Sequence, residues 1–187
     1  MKKKIIIAVT GASGAIYAKL LLDKVTSIKS DFEKVSLLFS KNAMDVWEYE
    51  IGSKSYNDYP FERIESNDFF SGPASGSARY TTMIICPASM GTIGRIAAGI
   101  SNDLITRAAD VMLKERKQLI VVPREAPYNL IHLRNMTSLT EAGAIVLPAS
   151  PSFYSKPKTI EDIANTVVER ILKIADINDD GYQWGSH

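Results

Sequence analysis

Five short apolar runs limit the possible folds of this chain more than any other feature. Ile5–Val9, Val35–Phe39, Met83–Cys86, Leu119–Val122 and Ala144–Leu147 are each four or five residues long and rich in β-branched types. Strict alternation would mark a half-solvated sheet, whereas near-continuous apolar runs mark strands covered on both faces, as in a parallel sheet. Between them the spacing predicts helices over Ala15–Ser27, Ala43–Ile51, Ile93–Ala98, Asn102–Glu115, Tyr128–Ala142 and Ile160–Ala175. In the last, Ile160, Ile163, Ala164, Val167, Val168, Ile171 and Ile174 form one stripe, and Thr159 with Asp162 reads as a short-armed capping box. Strands alternating with helices imply βαβ units. The expected fold class is therefore α/β: a Rossmann-like, doubly wound parallel sheet in three αβα layers.

The 187 residues, 45% of them hydrophobic, suit one domain, expected over residues 1–176 with a polar tail over 177–187. Twenty-two basic against 21 acidic residues give no support to a nucleic-acid or membrane partner. The single cysteine, Cys86, excludes an internal disulfide and any cysteine-rich metal site. The basic opening Met1–Lys4 runs into an apolar stretch that stops at Thr10-Gly11, too short for a signal peptide or a membrane span. A cytoplasmic location is the expectation, and no metal is expected.

Four constellations carry candidate chemistry. Thr10-Gly11-Ala12-Ser13-Gly14-Ala15 joins the first strand to the first helix, where backbone amides can meet a phosphate. It lacks the three-glycine dinucleotide spacing, and strand two ends in Ser40-Lys41 with no acidic residue, which suits a mononucleotide. A plain tight turn remains open. Cys86-Pro87-Ala88-Ser89-Met90-Gly91-Thr92 repeats the arrangement after another strand, with helix capping as its alternative. Pro123-Arg124-Glu125-Ala126-Pro127 offers a guanidinium fork and a proton-moving carboxylate, or else a surface ion pair. Arg107, Asp110 and Lys114 share one helix face, which an ordinary charged helix would also show. His132, among aliphatic residues, reads as a satisfied core residue more readily than as a catalyst. Gly52–Ala78 reads as a long excursion over the strand ends.

Several strings, in order along the chain, resemble the UbiX-type flavin prenyltransferases, formerly described as the small subunit of aromatic acid decarboxylases. They are VTGASGA from Val9, PASGS from Pro73, ICPAS from Ile85, LITRAADVMLKER from Leu104, LIVVPREAP from Leu119, IHLRNM from Ile131 and PSFY from Pro151. The resemblance implies a flavodoxin-like sheet, FMN bound at subunit contacts, and a homo-oligomer built from trimers, usually a dodecamer. It implies that dimethylallyl phosphate and reduced FMN combine at flavin N5 and C6 without a metal. The prenylated FMN then serves a UbiD-type decarboxylase.

Matched position by position, the resemblance assigns catalytic roles to Glu125, Ser13 and Glu50. It assigns FMN contacts to Gly11, Ala12, Ser13, Ser40, Ser89, Met90, Thr92, Arg107 and Arg124. Lys114, Arg124, Tyr154 and Arg170 would clamp the substrate phosphate, Tyr154 and Arg170 reaching from a neighbouring subunit. Trp184 corresponds to a tryptophan that can close over the site. Phe69-Phe70 stands where several members carry a tryptophan, which bears on the prenyl pocket. Two other readings compete: a flavin-dependent cysteine decarboxylase, against which stand the absence of any histidine before His132 and Met90 in place of an asparagine, and a non-catalytic flavin carrier.

Overall fold

The computed structural model describes residues 2–177, so the expectations for Trp184 and for most of the tail lie outside the described residues. Its core is a six-stranded parallel sheet: β1 (Lys3–Val9), β2 (Phe32–Phe39), β3 (Glu62–Ile64), β4 (Thr82–Ala88), β5 (Gln118–Pro123) and β6 (Ile145–Val146). The spatial order is β3-β2-β1-β4-β5-β6, with every pairing parallel. The chain thus winds outward from β1 to β3, returns to the middle, and winds the other way from β4. The strand order reverses between β1 and β4, which is where such sheets open a crevice at their carboxyl edge.

Side-chain alternation divides the apolar runs between two cores. Ile5, Ile7 and Val9 face one layer with Leu37, Phe39, Ile84, Cys86, Ile120 and Val122. Ile6 and Ala8 face the other with Leu38, Met83, Ile85, Leu119 and Val121. Helices α1 (Ala15–Ser27) and α6 (Ile160–Ile174) cover the first face, α6 through Val167, Val168, Ile171 and Leu172. Helices α3 (Met90–Ala97), α4 (Leu104–Lys114) and α5 (Leu130–Glu141) cover the second. Trp47, on α2 (Lys41–Ile51), is fully buried against Phe39 and Tyr56. A tryptophan of this size excludes on the order of 200 Å² of apolar surface from water, several kcal/mol at about 25 cal/mol per Å².

Local signals set the helix ends. Asp103, Asn129 and Thr159 each form a reciprocal capping box, the last with Asp162 as its sequence predicts. Helices α2 and α3 start two and three residues earlier than the apolar spacing suggests, because Ser40 and Ser89 cap them. Two strands depart from expectation. β6 shortens to two residues, although Leu147 still donates to the Val121 carbonyl. β3 has no apolar run to reveal it: Glu62 and Arg63 are exposed on the sheet edge, and Lys34 pairs with Glu62.

Candidate active site at the carboxyl edge of the sheet

The turns that follow β1 and β4 are tied together at the switch point by one buried hydroxyl. Thr10 Oγ1 donates to the Pro87 carbonyl at 2.8 Å and accepts from the Ser89 amide at 2.8 Å. Thr10 is 2% exposed, so no water competes for these bonds. The Ser40 amide donates to Val9 O, and the Arg124 amide to Ala88 O, drawing the turns after β2 and β5 to the same edge. The N-termini of α1, α2 and α3 therefore open beside one another, each a ready anion site.

The first of these is occupied by the protein itself. Helix α1 begins at Gly14, whose φ of 107° is left-handed and whose residue type supplies no cap. Glu50, at the far end of α2, reaches across instead: its carboxylate accepts from the Gly14 amide at 2.9 Å and the Ala15 amide at 2.7 Å. Burial alone would raise the Glu50 pKa. The hydrogen bond from Ser13, those from Ala15 and Gly14, and the charge of Arg124 outweigh it and hold the carboxyl below the usual glutamate range. Tyr17 lies beneath Gly14 and feels the charge of Arg124, though burial raises its own pKa. Gly11 is required by contact: a Cβ there would lie 2.5 Å from Asn42 Cβ on α2.

The structure thus brings Gly11, Ala12, Ser13, Ser40, Glu50, Ser89, Met90, Thr92 and Arg124 to one edge within a single chain. Glu125 follows on the same turn, exposed, with Oε1 accepting from the Ala126 amide. Arg107 lies near the start of α4, where it donates to the Ala74 carbonyl and pairs with Asp110 at 2.8 Å, as the spacing predicts. It pins the PASGS segment along α4, and Gly76 meets Glu115 at the other end of that helix.

The proposed phosphate clamp is not assembled within the chain. Lys114 ends α4 and precedes β5, whereas Arg124 follows β5. Six residues at about 3.3 Å each place roughly 20 Å between the two edges. Lys114 pairs there with Glu115 at 2.7 Å. Tyr154 and Arg170 line a separate cavity of about 440 Å³ between the segment after β6 and helix α6, with Ser150, Ser152, Thr166 and Lys173. One subunit cannot bring Lys114 and Arg124 to the same phosphate. Within one copy Lys114 and Arg124 lie at opposite ends of β5, so a clamp that held both would need a second copy.

Sequence reasoning missed Thr10 as the tie between turns and Glu50 as the cap of α1. No local pattern announces a cap supplied from 35 residues away. His132 takes part in the capping box of α5 with Asn129, a structural role. Among the described residues no cluster of three His, Cys, Asp or Glu side chains is placed to hold a metal.

The hydroxyls and helix amides gathered at this edge are the donor chemistry that a phosphate and ribityl chain require, which suits FMN. Comparison with known proteins gives the same direction. The Flavoprotein family profile matches residues 1–172. Flavin prenyltransferase UbiX of Methanocaldococcus jannaschii is 44% identical over 186 residues, 98% of this chain and 99% of that protein. The AnUbiX structure, in complex with FMN and dimethylallyl pyrophosphate, superposes with a TM-score of 0.93 at 37% identity, covering 100% of both chains. A dodecameric FMN-dependent UbiX-like decarboxylase from Escherichia coli O157:H7 superposes at 0.90 with 34% identity, over 98% of this chain and 100% of that one. With full-length identity at this level and the same flavodoxin-like sheet, the chain belongs to the Flavoprotein family and, within it, to the UbiX flavin prenyltransferases.

Proposed function

We propose that this protein joins the dimethylallyl group of dimethylallyl phosphate to reduced FMN, at N5 and then C6, and releases prenylated FMN to a UbiD-type decarboxylase. The observation that carries this reading is the convergence of three helix N-termini on the β1/β4 switch point, tied by Thr10 and lined by Ser13, Glu50, Ser89 and Arg124. FMN is a substrate here as much as a cofactor: the allylic C–O bond breaks and phosphate leaves as carbon replaces the N5 proton. The prenyl double bond then takes up a proton at its inner carbon as its outer carbon bonds C6, which loses its own proton.

The residues divide the work. Ser40, Ser89, Met90, Thr92, Arg107 and the Gly11–Ser13 turn hold FMN. Arg124, Tyr154, Arg170 and Lys114 neutralise the leaving phosphate, each cationic contact contributing about 2–4 kcal/mol to the barrier reduction. Glu50, held ionised, keeps the Ser13 hydroxyl oriented and does not serve as proton donor near neutral pH. That leaves Glu125, exposed on the Arg124 turn, to move the proton.

The active form in this reading is a trimer-based dodecamer. Leu130, Ile131 and Leu133 on α5, with Phe153 and Ile160, present exposed apolar surface suited to copies of the chain. Copies would also bring Lys114 to Arg124. Residues 1–176 act as one domain in this reading. No described helix is long and apolar enough to cross a membrane, and the cytoplasm is the proposed site of action. A cysteine decarboxylase or a flavin carrier would not need the Lys114, Arg124 and Arg170 set.

The test is anaerobic incubation with reduced FMN and either dimethylallyl phosphate or the diphosphate, followed by mass spectrometry of the extracted flavin. A gain of one C5 unit, lost in Glu125→Gln, is expected. Unchanged flavin with both donors would refute the transferase reading.

A further inference from the structure

The cavity along α6 carries a cation that the proposed mechanism leaves unused. Lys173 lines it with Arg170, three residues earlier on the same helix, and with the hydroxyls of Ser150, Ser152, Tyr154 and Thr166. Its two walls are tied together. The Ser152 amide donates to Thr166 Oγ1 at 3.0 Å, and Thr166 Oγ1 donates to the Ile163 carbonyl at 2.8 Å. The segment after β6 is thereby fixed on α6, and the space between them is a feature of the fold.

The charges facing this space differ from those on α4. There Arg107 is paired with Asp110 at 2.8 Å and Lys114 with Glu115 at 2.7 Å. Among the described residues, neither Arg170 nor Lys173 makes a side-chain hydrogen bond or an ion pair. The two cations face the cavity against one carboxylate of its lining, Glu169. A helix rises about 1.5 Å per residue, so the two side chains leave it roughly 4.5 Å apart along its axis. A monophosphate held by Tyr154 and Arg170 leaves Lys173 without an anion. A diphosphate carries a second phosphoryl group, joined to the first through one bridging oxygen, which extends to Lys173 and brings the charge that the pair lacks.

We propose that Lys173 fits this site to a diphosphate donor: Tyr154 and Arg170 hold the phosphate next to the allylic carbon, and Lys173 holds the terminal one. The allylic C–O bond then breaks with pyrophosphate, in place of phosphate, as the leaving group, and the steps at the flavin are unchanged. Lys173 is a binding residue that sets donor preference and takes no part in moving protons. This inference rests on the reading of Tyr154 and Arg170 as the phosphate clamp of a prenyltransferase.

The experiment compares wild type, Lys173→Ala, Lys173→Arg and Arg170→Ala. Initial rates of prenylated flavin formation are measured with dimethylallyl phosphate and with the diphosphate, and inorganic phosphate and pyrophosphate are titrated calorimetrically. Lys173→Ala is expected to lower the ratio of kcat/KM, diphosphate over monophosphate, about 10–100-fold, the size of one lost hydrogen bond between charged groups. Lys173→Arg should restore the ratio, whereas Arg170→Ala should slow both donors. Pyrophosphate should bind wild type more tightly than phosphate, and that gap should narrow in Lys173→Ala. Lys173 is exposed, so its replacement leaves the core untouched. Damage to the fold would slow both donors alike, and only the ratio reports a second phosphate. An unchanged ratio in Lys173→Ala, a wild type that uses the monophosphate alone, or equal affinity for phosphate and pyrophosphate would each overturn the proposal. A wild type inactive with both donors would instead remove the transferase reading; pyrophosphate affinity, measured without turnover, then still decides whether Lys173 holds a second phosphate.

Discussion

The switch-point turns and the cation set that surrounds the proposed phosphate are built on opposite plans. At the switch point, backbone amides and short side chains from four strand ends are hydrogen-bonded into place within one chain, with Thr10 and Glu50 as the ties. Arg124 has one foot there, beside Gly14. Its expected companions are scattered: Lys114 at the far edge of the sheet, Tyr154 and Arg170 in a cavity along α6. A ring-binding surface can be finished by local folding, whereas a dianion clamp needs several long cations. Holding those together in one unliganded chain would set like charges side by side at a cost in stability. Distributing them over subunits, as proposed, would postpone that repulsion until assembly and substrate bring the compensating charge.

The largest expected effect tests this division directly. Lys114→Ala and Arg124→Ala should each slow prenyl transfer by about 10²–10³-fold, the range for deleting one charge-stabilising donor. Co-assembly of the two variants should restore part of the rate, because some sites then carry both cations from different copies. Rates of prenylated flavin formation measure this, and mixed assemblies no faster than either parent would dissolve the contrast.

A smaller effect should separate the two regions by stability. Gly11→Ala forces a methyl against Asn42 and is expected to cost about 2 kcal/mol in denaturant unfolding. Lys173→Ala, lining the α6 cavity, should stay within about 0.5 kcal/mol. Equal losses would show that the switch point is no more tightly built than the cavity.

The smallest is the Glu50 cap. Glu50→Gln should lower stability by about 1 kcal/mol at pH 7, through the weakened cap and lost charge–dipole attraction. Since the folded pKa of Glu50 lies below its ordinary value of 4.5, this contribution is present above that pH and fades as pH falls through the folded value. Thermal midpoints against pH should therefore converge for wild type and variant in acid. A constant difference down to pH 3 would deny the carboxylate its capping role.

Much of the fold was legible because the signals are local and periodic. Apolar runs marked five strands, and helix α1 matched its expected limits residue for residue. β3 escaped because an exposed edge strand of Glu62, Arg63 and Ile64 has no hydrophobic period to detect. Of the site, the Ser13 and Ser89 turns and the Arg107–Asp110 pair could be read from spacing. The bond from Glu50 to the start of α1 could not, since nothing near Gly14 signals a partner on another helix.

By itself the sequence determined the parallel αβα architecture, the position of the strand-end turns, and family membership through strings spread over the chain. Each depends on residue type at short range, which periodicity and capping chemistry record. The tertiary structure alone decided that Thr10 ties two turns, that Glu50 fills the first helix terminus, and that Lys114 sits a strand length from Arg124. Those are distances between residues far apart in the chain, and only the winding of the sheet determines them.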